Sequence, residues 1–447
     1  MISVLAALLI GVAPAHTCRT LVVTKANVEY KHYATIQGAV DAAQPCDWVL
    51  VAPGVYPGKA VIRTPNLHLR GLNRNKVIVD GQHEVGNGIE VDKTSKVWIE
   101  NLTVRNFDLD KSTHEDGNEI WWNGGDESGV IGAHGWYGNY LTAYDTGLDG
   151  SYGLFVSNSV NGAFDHVYAS GMSDSGLYIG ACPDCRAVVR HALIERNALG
   201  YSGTNAGGHL IVQDSVFRKN GVGMMPNSLP NDAPPPQLGT CDSASNKSPT
   251  PSILSTRIAH CSIFRRNKVY DNNLTNAPAN RGVGALPWGS GIVLLGTYGD
   301  WVYKNTVARN RNFGIVGLEN PVPFPPTDKT IYFQLSGNRI EGNVVSGGAD
   351  ADIGLEGGIF GTKQSVNNCF AHNVAKKTVP DNLSPWSCDL AATPNVDPVN
   401  NGKMIAILLT LQAENQKHVR QGQPAPPAQP TMPRPCRGAP RNPLCAH

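Results

Sequence analysis

Charge is the first thing this sequence is short of. Asp, Glu, Lys and Arg make up 16% of its 447 residues, well under the quarter usual in globular chains. The two signs nearly cancel, leaving a net charge of +1. A near-neutral chain lacks the basic stripe on which nucleic acid binds, so no nucleic-acid partner is expected. It also supplies no strong field to steer a polyanion. Long hydrophobic runs are missing too. The apolar stretch at 2–12 is too short to span a bilayer, and no transmembrane segment is expected in the mature chain. No ten-residue helical pattern separates the strand-like runs, which disfavours a doubly wound α/β sheet.

Glycine, in contrast, is plentiful: 48 residues, where about 7% of the chain would be average. Together with many asparagines it predicts tight turns between short strands. The apolar run at 2–12 followed by Ala13-Pro14-Ala15 reads as a signal peptide over 1–15, although no Lys or Arg precedes it. A buried N-terminal strand is the other reading. Secretion suits the ten cysteines, which fall into five local pairs along the chain: Cys18 with Cys46, Cys182 with Cys185, Cys241 with Cys261, Cys369 with Cys388, and Cys436 with Cys445. In an oxidising compartment loop-closing disulfides are expected, with connectivity left open by spacing. Cys182-Pro-Asp-Cys185 has no second CxxC for zinc and no surrounding βαβ pattern for redox work, and reads as a small disulfide-closed turn.

Internal repeats set the architecture. Tyr152-Gly-Leu-Phe-Val-Ser recurs as Ser175-Gly-Leu-Tyr-Ile-Gly, and Ser290-Gly-Ile-Val-Leu-Leu as Phe313-Gly-Ile-Val-Gly-Leu. In each pair the glycines are 23 residues apart (Gly153 and Gly176, Gly291 and Gly314). A second strand-like run follows each, as in 187–197, 209–220 and 301–310, with an earlier copy at 97–106. These runs alternate apolar and polar residues and end in Asn or Gly, which tolerate left-handed backbone. About 23 residues fits three short strands and three turns. One such coil cannot bury enough apolar surface to fold alone, so coils must stack. Asn106, Asn197, Asn220, Asn272, Asn310 and Asn343 are expected to form an internal ladder with a structural role. Near the N-terminus, Ile36, Val40 and Ala43 fall at helical spacing and predict a short helix capping the first coil.

Thr35-Ile-Gln-Gly-Ala-Val-Asp-Ala-Ala43, Val51-Ala-Pro-Gly-Val-Tyr56, Leu69-Arg-Gly71 and Val77-Ile-Val-Asp-Gly81 resemble the opening of the pectin-lyase-like proteins. Within that superfamily the chain resembles the bacterial right-handed parallel β-helix repeat proteins, over roughly residues 33–375. The resemblance implies an all-β right-handed parallel β-helix solenoid with a short N-terminal capping helix. The expected layout is a signal peptide at 1–15, cap and first coils at 16–80, solenoid at 81–395, and a C-terminal helix with a Pro-rich tail at 396–447. Residues 228–252 and 319–328 read as loops extruded from the wall, 403–412 as a capping helix, and 421–447 as a flexible tail.

The family shares its fold among lyases, hydrolases, epimerases and non-enzymatic surface proteins, so activity must come from the site. Sugar chemistry needs acidic groups. The densest polar stretch is 142–178, containing Asp145, Asp149, Asp165, His166, Asp174 and Tyr178. Candidate catalytic residues are Asp149, Asp165, His166 and Asp174. Trp121, Trp122, Tyr178 and Asn205 are candidate substrate contacts, the tryptophans by stacking on sugar rings. Turn capping is the plainer role for each Asp, and a buried coil corner for the Trp pair. Phe164-Asp-His166 matches two residues of the pectate-lyase element in which Asp helps bind calcium. The Arg-x-Pro-x-x-Arg element of those lyases is absent, as are the Asn-Thr-Asp and Gly-His-Gly elements of polygalacturonases and the Asp-Pro-His-Ser element of mannuronan epimerases. The expectation is a secreted β-helix acting on or binding a polysaccharide, as a lyase or glycosidase if an enzyme. The alternative is a non-catalytic surface or wall-associated β-helix. The metal is left open, with calcium an option that oxygen-rich loops suit; ligand identity and oligomeric state are also open.

Overall fold

The computed structural model describes residues 16–114, 116–125, 130–229, 233–236, 261–278, 287–320, 333, 335–356, 368–381, 383 and 398–445. The expected signal peptide and most of the two extruded loops lie outside these residues.

Short strands stack into three parallel sheets of 12, 11 and 10 strands. Sheet A runs from Thr20–Val23 to Cys369–Ala371, sheet B from Gly54–Pro57 to Val344–Ser346, and sheet C from Ala60–Ile62 to Thr378–Val379. The chain visits the sheets in the order A, B, C, so each turn of a parallel β-helix adds one strand to each. Alternation decides the core. In sheet B, Val104, Ala143, Ala169, Ile194, Phe217, Val269 and Val307 all point inward and are buried. The 23-residue repeat is the true coil length in mid-solenoid, where Leu154 pairs with Leu177 and Tyr201 with Met224. It fails at Met224, whose partner is Ile292. Between those two residues the described strands Ser262–Arg265 and Lys268–Tyr270 still pair in register with the coil before.

Asparagines fasten the corners. At the corner between sheets B and C, Asn197, Asn220, Asn272 and Asn310 form one ladder. The side-chain oxygens of Asn220, Asn272 and Asn310 each accept the backbone N–H and the Nδ2 of the asparagine one coil earlier, at 3.0–3.1 Å. Asn343 belongs instead to a second ladder at the A–B corner, with Asn267, Asn305 and Asn373. Asn106 is in neither: its Oδ1 accepts from Thr146 N and Oγ1 at 3.2 and 3.1 Å. Glycine is required beside the first ladder, because a Cβ on Gly176 would lie 2.5 Å from Asn197 Nδ2.

Helix α1 (Ile36–Ala42) is capped by Thr35, whose side chain accepts from Gly38 N at 3.1 Å. It buries Ile36, Ala39 and Val40 in the core beside Leu21 and Val23. Ala43 is its C-cap, in extended backbone. The C-terminal helix α2 spans Pro398–Asn415, longer than expected. Met404 and Leu411 pack with Met225, Val293 and Val316, outward positions of sheet C whose apolar surface needs cover. The tail beyond it, expected to be flexible, is extended and docked back along the solenoid. Its prolines suit an extended backbone, and its carbonyls meet donors from the coil turns. Cys18–Cys46, Cys182–Cys185 and Cys436–Cys445 are disulfides, and Cys261 and Cys369 are also disulfide-bonded. No described helix is long and apolar enough to cross a membrane.

Candidate functional site

Three consecutive coils bring their side chains together at the corner where sheet B turns into sheet C. The strand Val77–Val85 bulges after Asp80, with Gln82 and His83 both in left-handed backbone, φ 55° and 64°. This kink puts His83 over the end of the next strand, Thr103–Asp108. His83 Nδ1 lies 3.3 Å from Asp108 Oδ1 and 3.5 Å from Asp145 Oδ1, and its Nε2 lies 3.4 Å from Thr146 Oγ1. The three groups could hold a metal ion, since one ligand atom from each lies within 4.8 Å of the others.

Exposure differs sharply within the cluster. The His83 side chain is 42% exposed, whereas Asp145 is only 1% exposed. Asp145 accepts N–H bonds from Gly147 and Gly150 at 3.0 and 3.1 Å. Burial nonetheless pushes its carboxyl above the ordinary range, reinforced by the like charge of Asp108. Asp108 is raised for the same first reason. Behind them Glu119, with no exposed surface, accepts Phe107 N at 3.3 Å. Its other oxygen has no hydrogen-bond partner among the described residues, and burial, reinforced by Asp145, raises its pKa well above the usual range. Beside the cluster Arg105 donates to Asp80 (2.6 Å) and to Tyr144 OH (2.8 Å). Burial alone would raise the Asp80 pKa; the bond from Arg105 and the Gln82 N–H outweigh it. Asn106 joins this pair to Thr146, completing a polar network along the corner.

The residues expected from the sequence are distributed over more than one corner. Asp149 and Asp174 belong to the B–C corner: Asp149 pairs with Lys111 at 2.9 Å and Arg420 at 3.4 Å, and Asp174 accepts from Ser175 Oγ at 2.6 Å. Asp165 and His166 are at the A–B corner, in a cluster of their own. Asp165 Oδ1 is 2.7 Å from His166 Nδ1 and 2.8 Å from His191 Nδ1, and Oδ2 accepts from Arg190 Nε at 2.8 Å. These ligand-type atoms also converge within 4.8 Å. Asp149, Asp165 and Asp174 therefore do not meet in a single groove. Trp121 is half-buried, its ring stacked on Phe155 at 5.1 Å, and Tyr178 meets Phe155 edge-on one coil later. Three expected contacts are corrected. Tyr178, 5% exposed, is buried against Tyr152 and Phe155 on the outer side of sheet C. Trp122, 1% exposed, points inward against Trp136 and Phe164, because it alternates with outward Trp121. Asn205 is buried at the C–A corner, where it donates to Leu229 O and Ala233 O and so anchors the root of the extruded loop.

His83 and Asp108 were not singled out from sequence. Asp145 was seen in the polar stretch without a partner. Paired positions Asp80, Arg105 and Tyr144 are separated by 25 and then 39 residues, so no constant offset links the coils. The one available signal is the polar Gln82-His83-Glu84 run following Val77-Ile-Val-Asp-Gly81.

No protein-family model matches the sequence, and no curated protein matches it. Among solved structures, the chain is similar to the A-module of the Azotobacter vinelandii mannuronan C-5 epimerase AlgE4. The TM-score is 0.51 at 13% identity, over 76% of this chain and 89% of that one. The AlgE6 A-module of the same organism gives 0.49 at 12%, over 76% and 88%. A mannuronic-acid-specific family 6 polysaccharide lyase from human gut microbiota gives 0.44 at 17%, over 75% and 79%. At such identities the likeness is one of fold, and of these three only the AlgE4 module carries it. With three long parallel sheets, the protein has the fold of a right-handed parallel β-helix.

Proposed function

We propose that the protein is a secreted β-helix that acts on a polysaccharide, with proton-transfer chemistry at the His83, Asp108 and Asp145 cluster. The observation that carries this reading is the contrast within the cluster: an exposed imidazole held on its Nδ1 side by two carboxyls that burial keeps above the normal range. A buried acid beside a histidine orients the ring and stabilises its protonated form, leaving Nε2 to exchange protons with a substrate. Asp145 is too enclosed to attack a sugar carbon, which favours a lyase over a double-displacement glycosidase. In that reaction Nε2 takes the proton next to a uronate carboxylate, the C4–O bond breaks, and the leaving oxygen is protonated by an acid. Asp108 and solvent are the acids at hand. Arg105 would offset the charge that builds on the uronate. Asp149, Asp174 and the Asp165–His166 pair enter this proposal as groups that contact the polymer on either side. Disulfides and the absence of a membrane-spanning helix among the described residues are consistent with secretion. A mannuronan epimerase on the same fold supports the substrate class.

The test is a lyase assay on a panel of uronate polysaccharides, following unsaturated products with and without calcium, alongside reducing-end assays for hydrolysis. His83→Ala and Asp145→Asn, checked for intact fold by circular dichroism, are expected to lower turnover by about 100-fold or more. Full activity in His83→Ala would sink the assignment of the base. Silence of the native protein in every assay would replace it with a binding or structural role.

A further inference from the structure

Residues 416–447 contain five Lys or Arg, eight prolines and no Asp or Glu. Proline-rich chain is extended, has few N–H donors, and leaves its carbonyls unpaired. It cannot extend a sheet edge, and here it is held by side chains instead. Leaving α2, it runs back toward the first coils. Arg420 donates to Leu148 O at 2.8 Å and reaches Asp149. Gly422 lies so close over the Thr146–Gly147 backbone that a Cβ would come within 2.2 Å of Thr146 O. Across sheet B, Asn75 pairs both ways with the Gln429 backbone at 2.8 Å. Arg74 donates to Pro430 O, and its backbone N–H to Thr431 Oγ1, both at 3.1 Å. Asn101 Oδ1 accepts from Thr431 Oγ1 and Met432 N, both at 2.8 Å. Finally Arg70 donates to Pro435 O and Arg437 O.

Two features of this path go beyond a clasp. The solenoid grips the segment mainly by its backbone, a mode suited to any extended polymer with acceptor oxygens at regular intervals. The second is Arg74. It is 2% exposed and forms no ion pair among the described residues. Its donors go to Thr142 Oγ1, Leu141 O, His166 O and Pro430 O. Burial draws the guanidinium down to about 9. A buried guanidinium without a counter-anion is costly, and its planar fork matches a carboxylate. One of its acceptors, Pro430 O, belongs to the tail and leaves with it.

The geometry points to a polymer groove running from the His83 corner across sheet B to Arg74 and Asn101, which the tail occupies as a strap and which an extended acidic polysaccharide would otherwise fill. This inference rests on the uronate-polysaccharide reading above and adds a carboxylate-binding position at Arg74 and a gate. A uronate carboxylate would take the place of Pro430 O on Arg74, and sugar hydroxyls would bond Asn101; Asn75 serves only to anchor the strap. The exposed Arg434, Arg437 and Arg441 would hold the displaced strap to the polyanion.

Hydrogen exchange on the full chain tests this, with oligogalacturonate, oligomannuronate and a neutral cello-oligosaccharide as probes and calorimetry to establish binding. The Gln429 and Met432 amides, which donate to Asn75 and Asn101, are expected to exchange at least about tenfold faster with an acidic oligomer bound. The neutral oligomer should leave them unmoved. Arg74→Gln should weaken acidic-oligomer binding at least about tenfold. The double variant Asn75→Ala/Thr431→Val, which removes strap anchors outside the sheets, should tighten it severalfold. Unchanged or slower exchange in a formed complex would overturn the strap, and an equal response to the neutral oligomer would overturn the acidic ligand. Failure of the double variant to bind any oligomer would overturn the groove. These readouts do not depend on turnover. Strap release without product would retain the groove and remove the enzymatic reading; product formed with the strap amides still protected would do the reverse.

Discussion

At the level of single residues, burial decides which titratable groups are useful and which are structural. Asp300 shows the structural case. It occupies a ladder position: its Oδ1 accepts Ser262 N, and its own N–H donates to Asn338 Oδ1, where Asn338 and Asn368 continue the file. Complete burial raises its pKa to about 8, so the folded protein holds it neutral, in the role of an asparagine. The unfolded chain releases this proton near the ordinary value of 3.8. Between those two values the native state binds more protons, and stability falls as pH rises from about 4 to about 8. Asp300→Asn is expected to flatten that slope, raising the melting temperature by several degrees at pH 8 while leaving it unchanged at pH 4. Parallel slopes for both proteins in a pH series of thermal melts would refute the assignment. Asp145 is held up by burial too, but there the imidazole of His83 stands within reach of solvent, and on the function proposed above the same physics would serve proton transfer.

Among the elements, the corner ladders do what helix caps do elsewhere: they satisfy buried amides at every change of direction. Asn272 is the clearest test. Its oxygen accepts two N–H groups of Asn220, and its Nδ2 donates to Phe217 O and Asn310 Oδ1. Asn272→Ala strands those partners in the core, at about 1–3 kcal/mol for each group left unmet. A loss of about 2–5 kcal/mol is expected, measured as a lower denaturant midpoint. Aspartate at the same position should be better tolerated at acidic than at alkaline pH, since only its protonated form can donate to Phe217 O. Helix α2 is stabilised differently, by the outward apolar residues of sheet C that it covers.

For the whole molecule, stability is a sum of coil-to-coil interfaces rather than the property of a single centre. Phe217, fully buried on sheet B, contacts its own coil and the two beside it. Phe217→Ala should cost about 3–5 kcal/mol. Hydrogen exchange should accelerate most at Leu193–Glu195, Val216–Arg218 and Lys268–Tyr270, and fade toward the first coils. Uniform acceleration over all three sheets would show that the solenoid opens as one unit. The docked tail is the exception to nearest-neighbour order, since it ties α2 at the far end to the turns holding Arg70 and Arg74.

The sequence by itself determined the parallel β-helix, the Thr35-capped first helix and the mid-solenoid repeat. Each follows from local alternation, Gly and Asn at turns, and a constant spacing that the sheets convert directly into register. It also placed Phe155 and Tyr178 on neighbouring coils through the 23-residue offset, and marked Asp145 within the polar stretch. Only the tertiary structure decided which polar residues meet. His83, Asp108 and Asp145 belong to coils of unequal length, and a bulge rather than a repeat aims the histidine. The inward turn of Trp122 and the burial of Asn205 depend on which side of a strand or corner each residue takes, and a one-residue change of register would have reversed the first. The docking of the tail was illegible for a related reason: its proline-rich composition is the same whether solvated or bound, and the donors that hold its carbonyls lie more than 300 residues earlier in the chain.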